Sequence, residues 1–269
     1  LQWSLEQAGD GGAELHQDMA LRLGGALRLF WWGRGYWSEG RGFLERALAA
    51  GVSLADTWID TSVRAKALLA AANLAFVQSD YKRTEVLSEE SLALYRELGD
   101  QYGIVYSLYR LGNVAWVRSD AARARSLLEE ALALSKKVDD KEYMAYSLFS
   151  LALLASSQGE YARSCALYED GLTLQRELGN KRGIAHLLSQ LAQALFVSQG
   201  DQARVHSLLE ECLALSREVG FKEGIAAAQC LFGQLALGQG DLATAHAEAE
   251  RSVVLYKEMG HRHGTAESL

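Results

Sequence analysis

The sequence predicts an all-α solenoid of antiparallel helix pairs. Three observations predict it: a chain without proline, turn residues that recur every 40 positions, and helical spacing of apolar residues between those turns. Average usage of about 5% would place roughly thirteen prolines in a chain this long. Proline chiefly breaks helices and shapes loops, so its absence beside abundant Ala, Leu, Glu and Arg favours helices joined by short connections. With 49% hydrophobic and 23% charged residues there is ample material for a core and no case for general disorder.

Ser79, Ser119, Gly159, Gly200 and Gly240 each precede an acidic residue, and their spacings are 40, 40, 41 and 40. Midway between them lie Gly99, Asp139, Gly179, Gly220 and Gly260, spaced in the same way. Two turns per repeat, roughly twenty residues apart, define two helices of about 15 to 18 residues each. A Gly or Ser in the left-handed conformation ends one helix, and the acidic side chain that follows caps the next. In the third repeat Leu108, Leu111, Gly112 and Ala115 mark one face of the first helix, and Ala124, Leu127, Leu128, Ala131 and Leu134 mark one face of the second. The small residues Gly112 and Ala124 let the two helices approach closely.

Leu-Gly-Asn at 111–113, the acidic helix start at Asp120, and then Ala124, Leu128 and Ala131 resemble the tetratricopeptide repeat in type and spacing. Two departures stand out. The period here exceeds the usual ~34 residues, and the terminal Pro is replaced by endings such as Arg96–Asp100 and Arg176–Asn180. Such long repeats are similar to those in the C-terminal sensor region of LuxR-like and AfsR-like ATP-dependent bacterial transcriptional regulators, the signal-transducing NTPase (STAND) class, and in some peptide-binding scaffolds. The resemblance implies a right-handed tetratricopeptide-repeat superhelical solenoid that binds or senses and has no catalysis of its own.

The expected organisation follows from the repeats. Residues 1–20 read as the end of an upstream helical connector, and 21–60 as an atypical first repeat and linker, with a helix pair from Leu21 to Ala50 carrying the aromatic run Phe30 to Trp37. Residues 61–269 read as five repeats (61–100, 101–140, 141–180, 181–221, 222–261) and a truncated seventh unit from Arg262. The absence of an initial Met and the break within that last unit suggest an excised piece of a longer chain.

Several functions are excluded or disfavoured. A net charge of −7 lacks the basic field that binds a phosphate backbone, so direct nucleic-acid contact is not expected. The most apolar stretch, Ala67 to Val77, is far below the ~18 residues of a membrane span, and no signal peptide is visible. Cys165, Cys212 and Cys230 lack any ligand spacing and read as reduced thiols of a cytoplasmic protein. The carboxylate pairs Glu89-Glu90, Glu129-Glu130 and Glu210-Glu211 recur at one register in three repeats, which marks solvated helix faces and not an active site. His261 and His263 are two apart, a poor spacing for helical metal ligands. No phosphate-binding loop, nucleophile elbow or Cys/His arrangement is present, so neither an enzyme nor a cofactor or metal site is expected.

Function is sought on the face beside the packing stripe. First helices carry one small packing residue at a fixed register (Ala72, Gly112, Ala152, Ala192, Gly233, with Arg28 in its place in the first), and the groove positions fall six and three before it and one and four after. That face reads Arg22, Gly25, Leu29 and Trp32; Lys66, Leu69, Asn73 and Phe76; Tyr106, Tyr109, Asn113 and Trp116. It continues as Tyr146, Phe149, Leu153 and Ser156; His186, Ser189, Gln193 and Phe196; Ala227, Cys230, Gln234 and Leu237. Aromatics give contact area at small entropic cost, and Asn or Gln can satisfy the backbone of an extended peptide. The rings either line a concave groove or pack against the first helix of the next repeat. The register of Phe196 is the least secure, because the extra residue of its repeat falls between Ala192 and Gly200. Two functions follow: a sensor for a protein, peptide or small effector within an ATP-dependent regulator, or a free-standing peptide-binding scaffold.

Overall fold

In the computed structural model, residues 13–50, 60–259, 264, 265 and 268 are described, and among them the secondary structure is entirely helical. The chain divides into two compact units, Leu1–Tyr143 and Met144–Leu269. The N-terminal unit holds α1 (Ala13–Ala26), α2 (Arg28–Arg34), α3 (Trp37–Ala50), α4 (Thr61–Val77), α5 (Tyr81–Leu98), α6 (Gln101–Val117) and α7 (Ala121–Lys137). Helix α8 (Lys141–Ser157) begins at its end. The C-terminal unit contains the rest of α8 and then α9 (Tyr161–Glu177), α10 (Lys181–Val197), α11 (Gln202–Glu218), α12 (Lys222–Gly238) and α13 (Leu242–Glu258).

The first repeat departs from the expected helix pair. Helix α1 starts at Ala13 and runs across residue 20, where the connector was expected to end. Gln17 is buried and its Nε2 donates to Ala47 O at 2.9 Å, so residues 13–20 pack with α3. A short α2 follows, ended by Gly35 at φ 76°, so three helices occupy Leu21 to Ala50. Residues 51–59 of the expected linker, residues 1–12 and the positions Gly260, His261 and His263 lie outside the described residues.

Both sets of turns adopt the left-handed conformation: Ser79 and Ser119 lie at φ 60° and 63°, and Gly99, Gly179 and Gly220 at 65–68°. The caps follow in most repeats. Asp80, Asp120 and Asp241 each accept from the N–H three residues on, at 3.1, 3.1 and 3.0 Å. At two turns the structure corrects the expectation. Glu160 makes no side-chain cap and instead faces Arg163 at 3.3 Å, because its longer side chain overreaches the cap position. At the other, Gln199 takes the left-handed role at φ 55°, and Gly200 N bonds to Leu195 O at 2.8 Å. The inserted residue therefore lies between the end of α10 and the cap Asp201. Phe196 keeps the 40-residue register of Phe76, Trp116 and Ser156.

The packing stripe is the core. Ala72, Ala152 and Ala192 are fully covered, as are Leu108, Ala124, Leu128 and Ala131. A second series of small residues runs through the second helices at 91, 131, 171, 212 and 252. Ser91 donates to Ala65 O, Cys212 to Ala185 O and Ser252 to Ala226 O, each satisfying a carbonyl of the neighbouring first helix. Cys212 is thus a serine-like member of this series. Burial pushes its thiol up to about 11, which keeps it protonated.

The recurrent carboxylates occupy the exposed faces of second helices and reach the neighbouring repeat. Glu89 pairs with Arg123 at 2.9 Å, Glu130 with Arg96 at 3.4 Å and Glu211 with Arg176 at 2.7 Å. Exposed pairs of this kind add only about 0–1 kcal/mol each. Close packing matters more. A Cβ at Gly112 would lie 2.7 Å from Leu128 Cγ, whereas one at Gly171 would meet only ordinary contacts at 3.5 Å. Gly112→Ala should therefore lose about 1–3 kcal/mol by overpacking, despite the helical preference for Ala. Gly171→Ala should gain up to ~1 kcal/mol from that preference. Urea unfolding midpoints measure both; a stabilised Gly112→Ala would refute the close approach of α6 and α7.

Candidate functional site

Some of the predicted groove positions line a cavity in each compact unit, while Asn73, Phe76, Tyr109, Asn113, Trp116, Tyr146, Phe149 and Phe196 line neither. In the N-terminal unit a cavity of about 540 Å³ is bounded by Arg22, Gly25, Lys66, Leu69 and Tyr106, all on the predicted face, and by Arg28, Tyr95 and Asp100. In the C-terminal unit a cavity of about 360 Å³ is bounded by His186, Ser189, Gln193, Ala227, Cys230 and Gln234, again all on that face. Gln190, Glu223 and Tyr256 complete its wall. Amide and hydroxyl groups predominate in the second cavity, cations and phenols in the first.

The rings do both things the sequence allowed. Tyr106 stacks on Tyr143 with centroids 4.0 Å apart, and Tyr109 meets the same ring edge-on at 5.5 Å. Phe149 lies 4.8 Å from His186, which in turn meets Phe221 at 6.2 Å. Rings of one first helix thus pack on the start of the next, and Tyr106, Tyr109, Phe149 and His186 are half-buried. Phe76 is half-buried beside Tyr81, and Trp116, Tyr146 and Asn73 are half-buried as well. Phe196 packs on the core of the C-terminal unit. Lys66 and Gln193 are exposed. The side chain of Trp32 lies outside the described residues.

Asn113 requires a correction. Expected on an accessible amide ladder with Asn73, it is only 8% exposed, and its Nδ2 donates to Tyr109 O at 2.8 Å. One turn of helix brings its amide onto that carbonyl, so the buried group is satisfied internally. On the predicted face Gln193 is exposed, and Asn73 and Gln234 are half-buried.

Two participants were missed. Tyr143 occupies the register at which other repeats carry Gly103, Gly183 and Gly224, and that substitution was the available signal. Arg110 places its guanidinium 4.5 Å over the Phe76 ring and 5.9 Å from that of Tyr109. A lone charge in the apolar helix from Ile104 to Val117 could have drawn attention to it. Burial pushes the Tyr143 phenol up, opposed by the charges of Arg110 and Arg28, and burial also raises Tyr106, reinforced by Asp140. Among the described residues no group of three His, Cys, Asp or Glu side chains could hold a metal ion. No helix among them is long and apolar enough to cross a membrane.

With this geometry in view, comparison with known proteins is informative. Residues 103–174 match the tetratricopeptide repeat family model. BtubC (BKLC) from P. vanneervenii is 18% identical, with a TM-score of 0.68 over 82% of this chain and 91% of its own. The apo form of RapI is 12% identical, with a TM-score of 0.70 over 92% of this chain and 94% of its own. The Rap conjugation gene regulator of plasmid pLS20, solved in complex with the Phr* peptide, is 11% identical, with a TM-score of 0.66 over 93% of this chain and 76% of its own. No curated protein matches the sequence. The fold is a tetratricopeptide-repeat solenoid of antiparallel helix pairs.

His186 supplies a pH-dependent readout of the second cavity. Burial lowers its pKa from the ordinary 6.5; Glu223 acts to raise it and Arg182 to lower it. Because the folded pKa is the lower one, the unfolded chain binds more protons in the interval between the two values. Stability is then fully present above the ordinary imidazole value and is lost as pH falls through that interval. His186→Gln should flatten this part of the profile. Thermal midpoints at about pH 7.5 and about pH 5 give the comparison, and an unchanged slope in the variant would contradict a buried neutral imidazole.

Proposed function

We propose that this chain is a binding domain that holds an extended peptide or protein segment along the first-helix face of its repeats. The observation that carries the reading is that some of the positions chosen from repeat register line a ligand-sized cavity in each compact unit. Half-buried rings offer apolar anchors, and Gln190, Gln193 and Gln234 offer donors and acceptors to a peptide backbone. The Phr* peptide bound by the pLS20 regulator is a precedent on a similar fold.

Within this reading the domain serves as the sensor of a larger ATP-dependent transcriptional regulator, the setting its long repeats resemble. The first repeat supports that choice. Trp31 and Phe43 are buried, while Phe30 and Tyr36 stack at 5.9 Å and remain about half exposed, an apolar surface suited to a neighbouring domain. A free-standing scaffold has no need of such a surface.

Selection of random twelve-residue peptides against the purified chain tests the binding function. Tyr109→Ala and Phe149→Ala should each weaken selected peptides by more than about 1 kcal/mol, whereas Glu129→Gln on the opposite, solvated face should not change binding. Equal effects at all three positions, or no selectable peptide, would reject the assigned face.

A further inference from the structure

We propose that the cavity of the C-terminal unit is a receptor for a small neutral polyhydroxyl ligand of the sugar type, held by the amides of Gln190, Gln193 and Gln234. The inference rests on the proposed function only for the choice of face, and it gives this cavity a small molecule in place of peptide backbone.

The lining carries the case. The cavity holds about 360 Å³, near the lower end of the roughly 300–1,000 Å³ of small-molecule sites, so it suits a compact ligand. Among the described residues no Lys or Arg lines it, and its one carboxylate is Glu223. Arg182 stacks over the Phe221 ring at 4.7 Å and is not part of the lining. Burial lowers the pKa of the His186 imidazole, which leaves that ring uncharged at neutral pH with one donor and one acceptor nitrogen. A carboxylate or phosphate ligand therefore finds no cation on the wall and one acid opposing it. Glu223 is itself exposed to water, which makes it a weak anchor for a cation. What remains is a neutral, polar ligand.

Register brings the amides together. Gln193 and Gln234 share one register in consecutive repeats, where earlier repeats carry Asn73, Asn113 and Leu153, and Gln190 lies about one turn before Gln193 on α10. Asn113 shows what the shorter side chain does there, since its amide folds back onto Tyr109 O. The longer glutamines are not consumed in this way. Gln190 and Gln193 make no side-chain hydrogen bond among the described residues, and Gln234 Nε2 reaches only the Cys230 thiol, a weak acceptor, at 3.8 Å. Each amide sets a donor beside an acceptor, and a sugar hydroxyl, which both donates and accepts, can use the two together. Ser189 donates to His186 O at 2.8 Å and keeps its own lone pairs for a ligand hydroxyl. Phe221 and Leu231 add apolar wall for the C–H face of a ring.

The experiment is calorimetric titration of the full chain with glucose, maltose, trehalose and myo-inositol as neutral probes and glucuronate as the anionic analogue. At least one neutral probe should bind, about tenfold or more tightly than glucuronate, which Glu223 opposes. Gln193→Leu and Gln234→Leu should each weaken that probe about three- to tenfold, the loss of a neutral hydrogen bond. Gln193 is exposed, so its variant preserves the test if Gln234→Leu fails to fold. Glu223→Gln should narrow the gap between the neutral probe and glucuronate, a change that structural damage does not produce. Neutral-probe binding that depends on the glutamines, with no peptide selectable from the random library, would support the receptor and sink the peptide reading alone. Selected peptides that both glutamine variants weaken, with no neutral probe bound, would overturn the receptor and leave the peptide groove standing. Glucuronate bound as tightly as the neutral probe, affinity unchanged in both glutamine variants, or no probe bound at all would overturn it as well.

Discussion

Size complementarity at the joint between one repeat and the next is the constraint on which the rest of the structure depends. A helix pair buries its apolar stripe only when the following pair stacks on it. At each joint, a residue near the end of a second helix meets one near the start of the next first helix. Tyr95 faces Gly103, where a Cβ would fall inside the tyrosine ring; Gln175 faces Gly183, and Ser216 with Phe221 faces Gly224. Tyr256 closes on Gly264 in the same way, with a Cβ there only 2.5 Å from the ring. One register inverts the order: Ser135 stands at the large position and Tyr143 at the small one. There the ring is carried by the later helix.

That inversion links packing to the candidate site. Because Tyr143 comes from the later helix, its ring reaches Tyr106 and Tyr109, which places a stack of phenols on the face of the N-terminal unit. Arg110 then lies among Phe76, Tyr109 and Tyr143 with aromatic faces where ion-paired arginines have carboxylates. The C-terminal unit keeps glycine at the equivalent positions, and its cavity is built from His186, Gln193 and Gln234. The two cavities thus differ in chemistry: phenols and cations in one, amides and an imidazole in the other.

Much of the fold was legible because turn chemistry and apolar period repeat five times over, so the left-handed residues at 79, 99, 119 and 179 and the buried series at 72, 152 and 192 could be read by register. Register fails where the backbone absorbs an insertion, as at Gln199 and Gly200, since a one-residue shift in a turn leaves the apolar pattern unchanged. Register also says nothing of residue 20, where α1 runs through a boundary that the resemblance suggested. For the candidate site, register picks out a face but not the fate of each polar group. The amide of Asn113 turns inward to Tyr109 O, a choice set by local hydrogen bonding. Arg110 escaped notice because its importance lies in what surrounds it, several residues from three helices, and not in its own spacing.

The joint can be tested by moving the inverted pair to another repeat. Gly103→Tyr alone should cost about 3 kcal/mol or more, since the new ring collides with Tyr95. Combining it with Tyr95→Ser reproduces the Ser135/Tyr143 arrangement and should recover at least about half of that loss, a coupling that a double-mutant cycle of chemical unfolding reads directly. Losses that merely add, leaving the double variant less stable than either single one, would contradict the claim that size complementarity at the joints organises the solenoid.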